Sequence, residues 1–481
     1  MKSDSKVFDV VILGTGLSGL IAATQLAKEH RSVLLLKEKR YCSSFKRDGY
    51  RFIPYSNFSE KLVQTGLLKK VSYSMDRRGD LSGRGRTEQD IFYQVILPGA
   101  RIDVYREPSR LKKEWKREFP DELNQIENFY GELGRIKQLL GKVKNKGPVG
   151  SLFPIQNRSL LRRWFTFDHL PKEGTDPRLS TFSSGFKKFI ELQMISRGNL
   201  ISISFPLSLV SHLLLSDKED DWGREVDLEI VTQGLFEKLA QSGGRVEEVE
   251  DVESIEIKGR KSFSLHLKED ERMIRARSLI LNSPLHCVSR FFGKRGKALT
   301  GWSKKIRPRY ILVPVFIGIR EKVIPVGMRD LLISVQNPEK QYEDGNLLLL
   351  NLSRKGDVNQ APEGKRALTV MSLRPFDGSE RSHLSELEDG MMNHLTHLFP
   401  FLENHIEFID RTWTEDQMKS WSYPHYYYEI NSEIEWRNGV VPTKISKHLY
   451  FAGRENFPYL GLEGEVLSGL LIGAQILKRD Q

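Results

Sequence analysis

Gly14-Thr-Gly16-Leu-Ser-Gly19 is the stretch of this 481-residue chain best suited to chemistry on a phosphate. It follows the β-rich apolar run Val-Phe-Asp-Val-Val-Ile-Leu at 7–13. After it, Leu20–Lys28 has a helical pattern with Leu20, Ala23, Leu26 and Ala27 available for packing. A second apolar run, Ser32–Lys37, ends on Glu38. In that strand–turn–helix–strand setting each glycine has a mechanical task. Gly14 turns the chain off the strand, Gly16 lets a pyrophosphate approach the backbone, and Gly19 lets helix lie close on strand. Unpaired N–H groups at the helix start, around Leu17 and Ser18, and the positive end of its dipole suit the phosphates. Glu38, 19 residues beyond Gly19, can accept both hydroxyls of an adenosine ribose. The pattern predicts a dinucleotide site.

Two other groups of residues invite chemistry. His394 and His397 share an expected helix with Met391, Met392, Leu395 and Leu398. An i, i+3 pair can share a metal, but no third ligand is placed; the spacing reads as a solvated helix face, and no metal is expected. His425 lies in Trp-Ser-Tyr423-Pro-His425-Tyr-Tyr-Tyr. Such a cluster either lines an apolar cavity, with His425 or Tyr423 as proton donor, or packs as an aromatic strand in the core. Both readings stay open. No serine-hydrolase elbow, P-loop or paired-carboxylate pattern of similar quality is present.

The far end of the chain decides which dinucleotide. His448-Leu-Tyr-Phe-Ala-Gly453-Arg454-Glu455 reads as a short strand and glycine turn. Gly464-Glu465-Val466, with Gly469 and Gly473 beyond, opens a helix having small residues on one face. This resembles the closing FAD motif of the flavin amine oxidase, protoporphyrinogen oxidase and phytoene desaturase superfamily. There the turn meets the ribityl chain and pyrophosphate, and the helix points its N-terminus at the flavin's N1–C2 edge, where reduced flavin carries negative charge. Gln233–Ala240 followed by Ser-Gly-Gly-Arg-Val is similar to the family's helix and turn before the strand at the adenine, with Val252 at the adenine-contacting valine. Ala276–Pro284 resembles the return strand. Leu347–Leu352 with Asn359-Gln-Ala-Pro362-Glu-Gly364 resembles a substrate-domain segment of the phytoene desaturase branch. The resemblance implies a cofactor-binding set of Gly14, Gly16, Leu17, Ser18, Gly19, Glu38, Lys39, Val252, Gly453, Arg454, Glu455, Gly464, Glu465 and Val466. It also implies an FAD-dependent oxidoreductase that moves a hydride between flavin N5 and a lipophilic, isoprenoid or porphyrin-like substrate. Reverse saturation, or isomerisation by reduced flavin, is equally compatible.

The sequence departs from that family after Glu38. The family carries Gly-Gly there, whereas this chain has Lys39-Arg-Tyr-Cys42-Ser43-Ser44 and no glycine until Gly49. Serines do not supply the positive-φ positions of the family's turn. Arg454 stands between Gly453 and Glu455, where the family places its acid directly after the glycine, and is a candidate for the missing cation. These departures keep open a non-catalytic lipid- or protein-binding module of the same fold, as in Rab escort and GDP-dissociation inhibitor proteins, or a subunit of a larger complex.

The elements that position these motifs are those of an α/β protein. The expectation is a discontinuous Rossmann-type FAD-binding domain (about 1–60, 221–289 and 440–481) and a mixed α+β substrate domain (about 61–220 and 290–439). Pro120-Asp-Glu followed by Leu123, Ile126, Phe129, Leu133, Ile136 and Leu140 predicts an amphipathic helix, and Tyr310–Ile319 a buried strand. Asp76–Arg86 reads as a polar, glycine-rich loop. Hydrophobic residues are 39% and charged residues 28%, which excludes disordered and fibrous classes. Two cysteines give no disulfide framework and suggest the cytoplasm. The apolar run from Val7 leads into the glycine motif with no cleavage site, so no signal peptide is expected. Lys and Arg number 74 against 63 acids, a net +11. From Arg290 to Arg309 there are eight Lys or Arg and no acid, interleaved with Phe291, Phe292 and Trp302. A basic run with bulky hydrophobes fits a peripheral contact with anionic lipid better than a phosphate track, so no nucleic acid is expected. Its rival is a solvated face beside core residues.

Overall fold

The run Val7–Leu13 is apolar on both faces, so it must be flanked on both sides. It forms β1, lying parallel between β2 (Val33–Glu38) and the return strand Met273–Leu281. Helix α1 (Leu17–Lys28) crosses from β1 to β2. The edge strand Arg245–Val249 pairs parallel with β2, and the short closing strand Leu449–Phe451 pairs parallel with the end of the return strand. Two antiparallel strands, Ser262–Leu267 and Val252–Lys258, complete a seven-stranded sheet. This order, parallel about a βαβ unit at its centre, is Rossmann-type. The computed structural model describes residues 7–39, 44–53, 71, 91–105, 107–145, 177–201, 207–215, 228–258, 262–268, 272–296, 301–376, 384–418, 420, 425–430 and 439–479.

Sequence proximity does not explain the last layer. The closing helix Gly461–Arg479 lies on α1, some 450 residues earlier in the chain, and glycines permit it. A Cβ on Gly469 would lie 2.5 Å from the Ser18 carbonyl, and one on Gly473 2.0 Å from Gln25 Oε1. The small-residue face is thus a helix-packing seam. Pro458–Arg479 is long and apolar enough to cross a membrane, but 78% of its most apolar window is buried inside the protein, as in a core helix.

The second sheet has eight strands. Its long strand, Ile306–Arg320, contains the expected Tyr310–Ile319 and pairs along its length with Lys365–Pro375. Leu347–Leu352, Leu331–Val335, Ile91–Leu97 and Ala100–Tyr105 follow in order. Along its other edge two short strands share the long one: Tyr426–Ile430 pairs with Ile306–Ile311, and Ile406–Asp410 with Phe316–Ile319. Between them sits Pro314. Leu312 donates from that edge to the His425 carbonyl at 2.8 Å, so Pro314, two residues on, turns its nitrogen to the same side, where neither strand pairs. Its missing N–H therefore costs no ladder bond, and its carbonyl accepts the Thr414 hydroxyl at 2.6 Å. The amphipathic helix runs from Leu123 to Asn145, after a 3₁₀ turn at Pro120–Glu122.

Two expectations are corrected here. His394 is 2% exposed and not on a solvated face. Its rings bond across the fold, Nε2 to the Ser334 hydroxyl and Nδ1 to the Gly345 carbonyl, both at 2.9 Å. His397 is exposed and bonds its own helix at the Asn393 carbonyl. Among the described residues no cluster of metal-ligating side chains occurs. In the basic segment, Phe291 and Phe292 are 4% and 5% exposed, so they belong to the core rather than to a lipid-facing surface. Arg290 lies over the Phe291 ring, and Lys305 over that of half-buried Trp302. Asp76–Arg86 lies outside the described residues.

Burial pushes the His394 imidazole down to about 4 from its ordinary 6.5, helped by the charge of His397 and opposed by the Gly345 carbonyl. Below pH 6.5 the unfolded chain takes up a proton that the folded protein refuses. This stabilisation is therefore complete above pH 6.5 and is lost as pH falls towards 4. We expect denaturant unfolding of His394→Gln across pH 4–7 to show a lower stability at pH 7 but a slope shallower by up to about 1.4 kcal/mol per pH unit. Parallel curves for the two proteins would disprove this role.

Candidate functional site

The site is organised by a residue the motif does not contain. Asn282 ends the return strand beside β1, where its N–H donates to the Leu13 carbonyl at 2.8 Å. Its side chain then makes two buried bonds: Oδ1 accepts the Gly19 N–H at 3.0 Å, and Nδ2 donates to the Ala452 carbonyl at 2.9 Å. A Cβ on Gly19 would lie 2.3 Å from Oδ1, and one on Gly16 3.0 Å from the side-chain amide. Gly14 has φ +109°, the sharp turn expected of it, and a Cβ there would strike the Asn282 carbonyl at 2.1 Å. One asparagine thus joins the first glycine turn to the closing strand.

Around it three hydroxyl groups, those of Thr15, Ser18 and Ser283, are buried without a hydrogen bond to protein. Gly16 and Gly453 keep partly exposed backbone while their neighbours Thr15, Leu17, Ala452 and Arg454 are buried. Buried hydroxyls left unsatisfied are costly, and hydroxyls beside a helix N-terminus are the donors a diphosphate uses. Leu17 is 9% exposed and continues the helix into the core.

At the other end of β2, Glu38 is 1% exposed and accepts the Ser420 hydroxyl at 2.6 Å. Its strand neighbour is Val249, whose carbonyl takes the Lys39 N–H at 2.8 Å. Lys39 itself is exposed, its ammonium 3.5 Å from Glu250. Val252, predicted at the adenine, is buried as the first residue of the antiparallel strand Val252–Lys258; Val249 is the valine paired with Glu38.

The closing motif is built of matched charges. Arg454 and Glu465, 6% and 9% exposed at their side chains, are hydrogen-bonded to each other. Arg454, the candidate for the cation missing after Glu38, therefore has a carboxylate partner in Glu465. A buried guanidinium is stable only when so paired. Glu455 Oε1 accepts the Leu285 N–H at 2.9 Å, and the Tyr428 hydroxyl bonds the same carboxyl group. Burial raises the Glu455 pKa and, more strongly, that of Tyr428. Asn456 reaches the Val441 carbonyl and accepts from Ser468. The closing helix begins at Gly461 rather than near Gly464. Gly464 lies within its first turn, where a Cβ would meet the Phe457 carbonyl at 2.4 Å, so its task is packing. Val466 is fully buried behind it. Glu463, in the same turn, is hydrogen-bonded to His212.

His425 is 3% exposed. Burial, then the charge of Arg454, pushes its imidazole far below its ordinary value. Both effects favour the neutral imidazole. Tyr423 lies outside the described residues, as does Cys42. The structure brings Gly14, Gly16, Ser18 and Gly19 to one side of Asn282 and Gly453 to the other. Lys39, Arg454 and Glu465 spend their side chains on local ion pairs. Asn282, Ser283, Asn456 and Ser420 were missed; only the polar Asn-Ser-Pro ending an apolar strand gave any signal.

No family model matches the chain. A chloroplastic prolycopene isomerase of Arabidopsis thaliana is 22% identical over 395 residues, which is 77% of this chain and 65% of that protein's length. Prolycopene isomerase 1 of an Oncidium hybrid cultivar is 26% identical over 516 residues, covering 98% of this chain and 84% of its own. An oxidoreductase from Methanosarcina mazei has the same fold, with a TM-score of 0.62 at 15% identity over 96% of this chain and 99% of that one.

Removing the Asn282 amide strands the Gly19 N–H and the Ala452 carbonyl in the interior. Asn282→Ala should cost about 2–4 kcal/mol in denaturant unfolding. Gly19→Ala should be comparably damaging. The double variant should be less destabilised than the sum, because each change attacks the same contact. Strict additivity would show that the two residues act independently.

Proposed function

We propose that this chain, similar to prolycopene isomerases in sequence, is an FAD-dependent oxidoreductase of the phytoene desaturase-like branch that binds FAD and moves a hydride between flavin N5 and an isoprenoid polyene. The observation that carries the cofactor is the trio of buried, unsatisfied hydroxyls, Thr15, Ser18 and Ser283, beside the N-terminus of α1. With backbone amides of the turn between Gly14 and Gly19, whose own N–H groups are bonded to Leu36 and Asn282, they would hold the diphosphate, and Glu38 the adenosine ribose. FAD, when bound, supplies two-electron chemistry at N5, and the protein contributes position and desolvation. The substrate class is supported by the relatives named for prolycopene. Desaturation, saturation and isomerisation share such a core.

The chain's own residues keep that core dry and low in free charge. Tyr426, Tyr427 and Tyr428 are each 4% exposed or less. Neutral His425 adds no charge beside the Arg454–Glu465 pair. A substrate of this kind would be drawn from a membrane, and we place the contact at the exposed Arg290, Lys304, Lys305, Arg307 and Arg309 on its cytoplasmic face. With Phe291 and Phe292 in the core, that contact is mainly electrostatic. A flavin-free binding module is the second reading, favoured by the closure of Arg454 on Glu465.

The visible absorption spectrum of protein purified without added cofactor separates the two. The paired near-ultraviolet and blue bands of oxidised flavin, with FAD released on denaturation, are expected, and Glu38→Ala should weaken FAD binding roughly tenfold or more. A colourless protein that refuses added FAD would establish the binding module instead. Co-sedimentation with phosphatidylserine vesicles should be strong at low salt and largely lost at about 1 M, where the Debye length falls to about 3 Å. Failure to bind at either salt would exclude the lipid contact.

A further inference from the structure

The ribose acid is held by the wrong sheet. Glu38 belongs to β2 of the first sheet, yet the hydroxyl bonded to it comes from Ser420, 382 residues on. Ser420 lies in the connection between the two short strands that share the long strand of the second sheet. That connection is anchored. The Thr414 hydroxyl is fixed to the Pro314 carbonyl, Met418 N–H bonds the Thr414 carbonyl at 3.0 Å, and Ser420 N–H bonds Gln417 at 2.9 Å. Gln417, Met418 and Ser420 are all buried. On the other side, pairing with Val249 fixes the end of β2. Both partners of the 2.6 Å bond are thus buried and tied by backbone hydrogen bonds, Ser420 to Gln417 and β2 to the strand of Val249, and the bond engages one oxygen of the carboxylate.

We propose that Ser420 is a positioning residue for the dinucleotide: from the second sheet it orients Glu38 towards the adenosine ribose. Cofactor affinity is then set partly by chain outside the nucleotide-binding sheet. This rests on the reading that FAD is bound. A hydroxyl to a carboxylate is a strong bond, and a carboxylate has about four acceptor sites, so a ribose and a serine can share it.

The test is FAD titration of apo-protein, followed by quenching of flavin fluorescence, with circular dichroism on each variant. Ser420→Ala should raise the FAD Kd roughly tenfold. Ser420→Thr, which keeps the hydroxyl, should restore it to within about twofold of the unmodified protein. With Glu38 already removed, Ser420→Ala should have no further effect, so S420A/E38A should bind as E38A does. An unchanged Kd for S420A would overturn the proposal, as would a tighter one, which would make Ser420 a competitor of the ribose. Loss of folded structure in S420A, or failure of threonine to rescue, would assign Ser420 to stability alone. If the unmodified protein takes up no FAD, it is the parent reading that fails, before any variant is compared.

Discussion

A single buried amide holds together the end of this protein where the first glycine turn meets the closing strand. Asn282 has one acceptor and two donors on its side chain, and a buried amide must satisfy them. Its oxygen accepts from Gly19 on one side, and its amide nitrogen donates to Ala452 on the other. The rest follows. Gly19 must lack a side chain because the amide oxygen occupies that space. The closing strand must meet the return strand at its end, and does, with Ala452 N–H on the Leu281 carbonyl at 2.8 Å. The closing helix is thereby delivered onto α1. What looks like a phosphate motif at residues 14–19 is equally a socket for an asparagine 263 residues downstream.

The same arrangement surrounds the closing helix with resolved charges. Its first turn carries Glu463 and Glu465; Glu463 is hydrogen-bonded to His212, and Glu465 is paired with the Arg454 guanidinium. The carbonyl end of the helix Ser184–Arg197 abuts its amide end: a Cβ on Gly461 would lie 2.1 Å from the Arg197 carbonyl. Opposite ends of two helix dipoles therefore face each other, which is the favourable arrangement. Asn199 continues the clasp, donating to the Pro458 carbonyl and accepting the Tyr428 N–H, both at 2.8 Å. Substrate-side strand, central helix and closing helix converge on that asparagine.

Much of this was legible in the sequence where the signal is local. The βαβ unit, the end of β2 at Glu38, the return strand and the long strand through Tyr310–Ile319 all declare themselves by apolar runs and glycines within 20 or so residues. The small-residue face of the closing helix was visible too, although its partner was not. What stayed hidden depends on partners far along the chain. Nothing near Ser420 marks it as a neighbour of Glu38, and nothing near Asn282 marks it as a cap for α1. His394 was misplaced because an i, i+3 pair fixes a helix face but not the side that faces the core. The basic segment misled for a related reason: composition counts Phe291 and Phe292 as companions of the lysines, whereas both rings are buried in the core.

The first strand and the closing strand flank the end of the same return strand, one on each side, and protein synthesis gives that a direction. Residues 7–38 leave the ribosome long before the return strand and expose an apolar central strand with one of its final flanking partners more than 230 residues away. Even when the return strand arrives, Asn282 can satisfy only its bond to Gly19 until Ala452 is translated. The first glycine turn is thus assembled early and finished last. A nascent chain halted anywhere before the closing strand carries every residue of the N-terminal motif and still lacks the site, which makes emergence of that strand the step that closes the cradle.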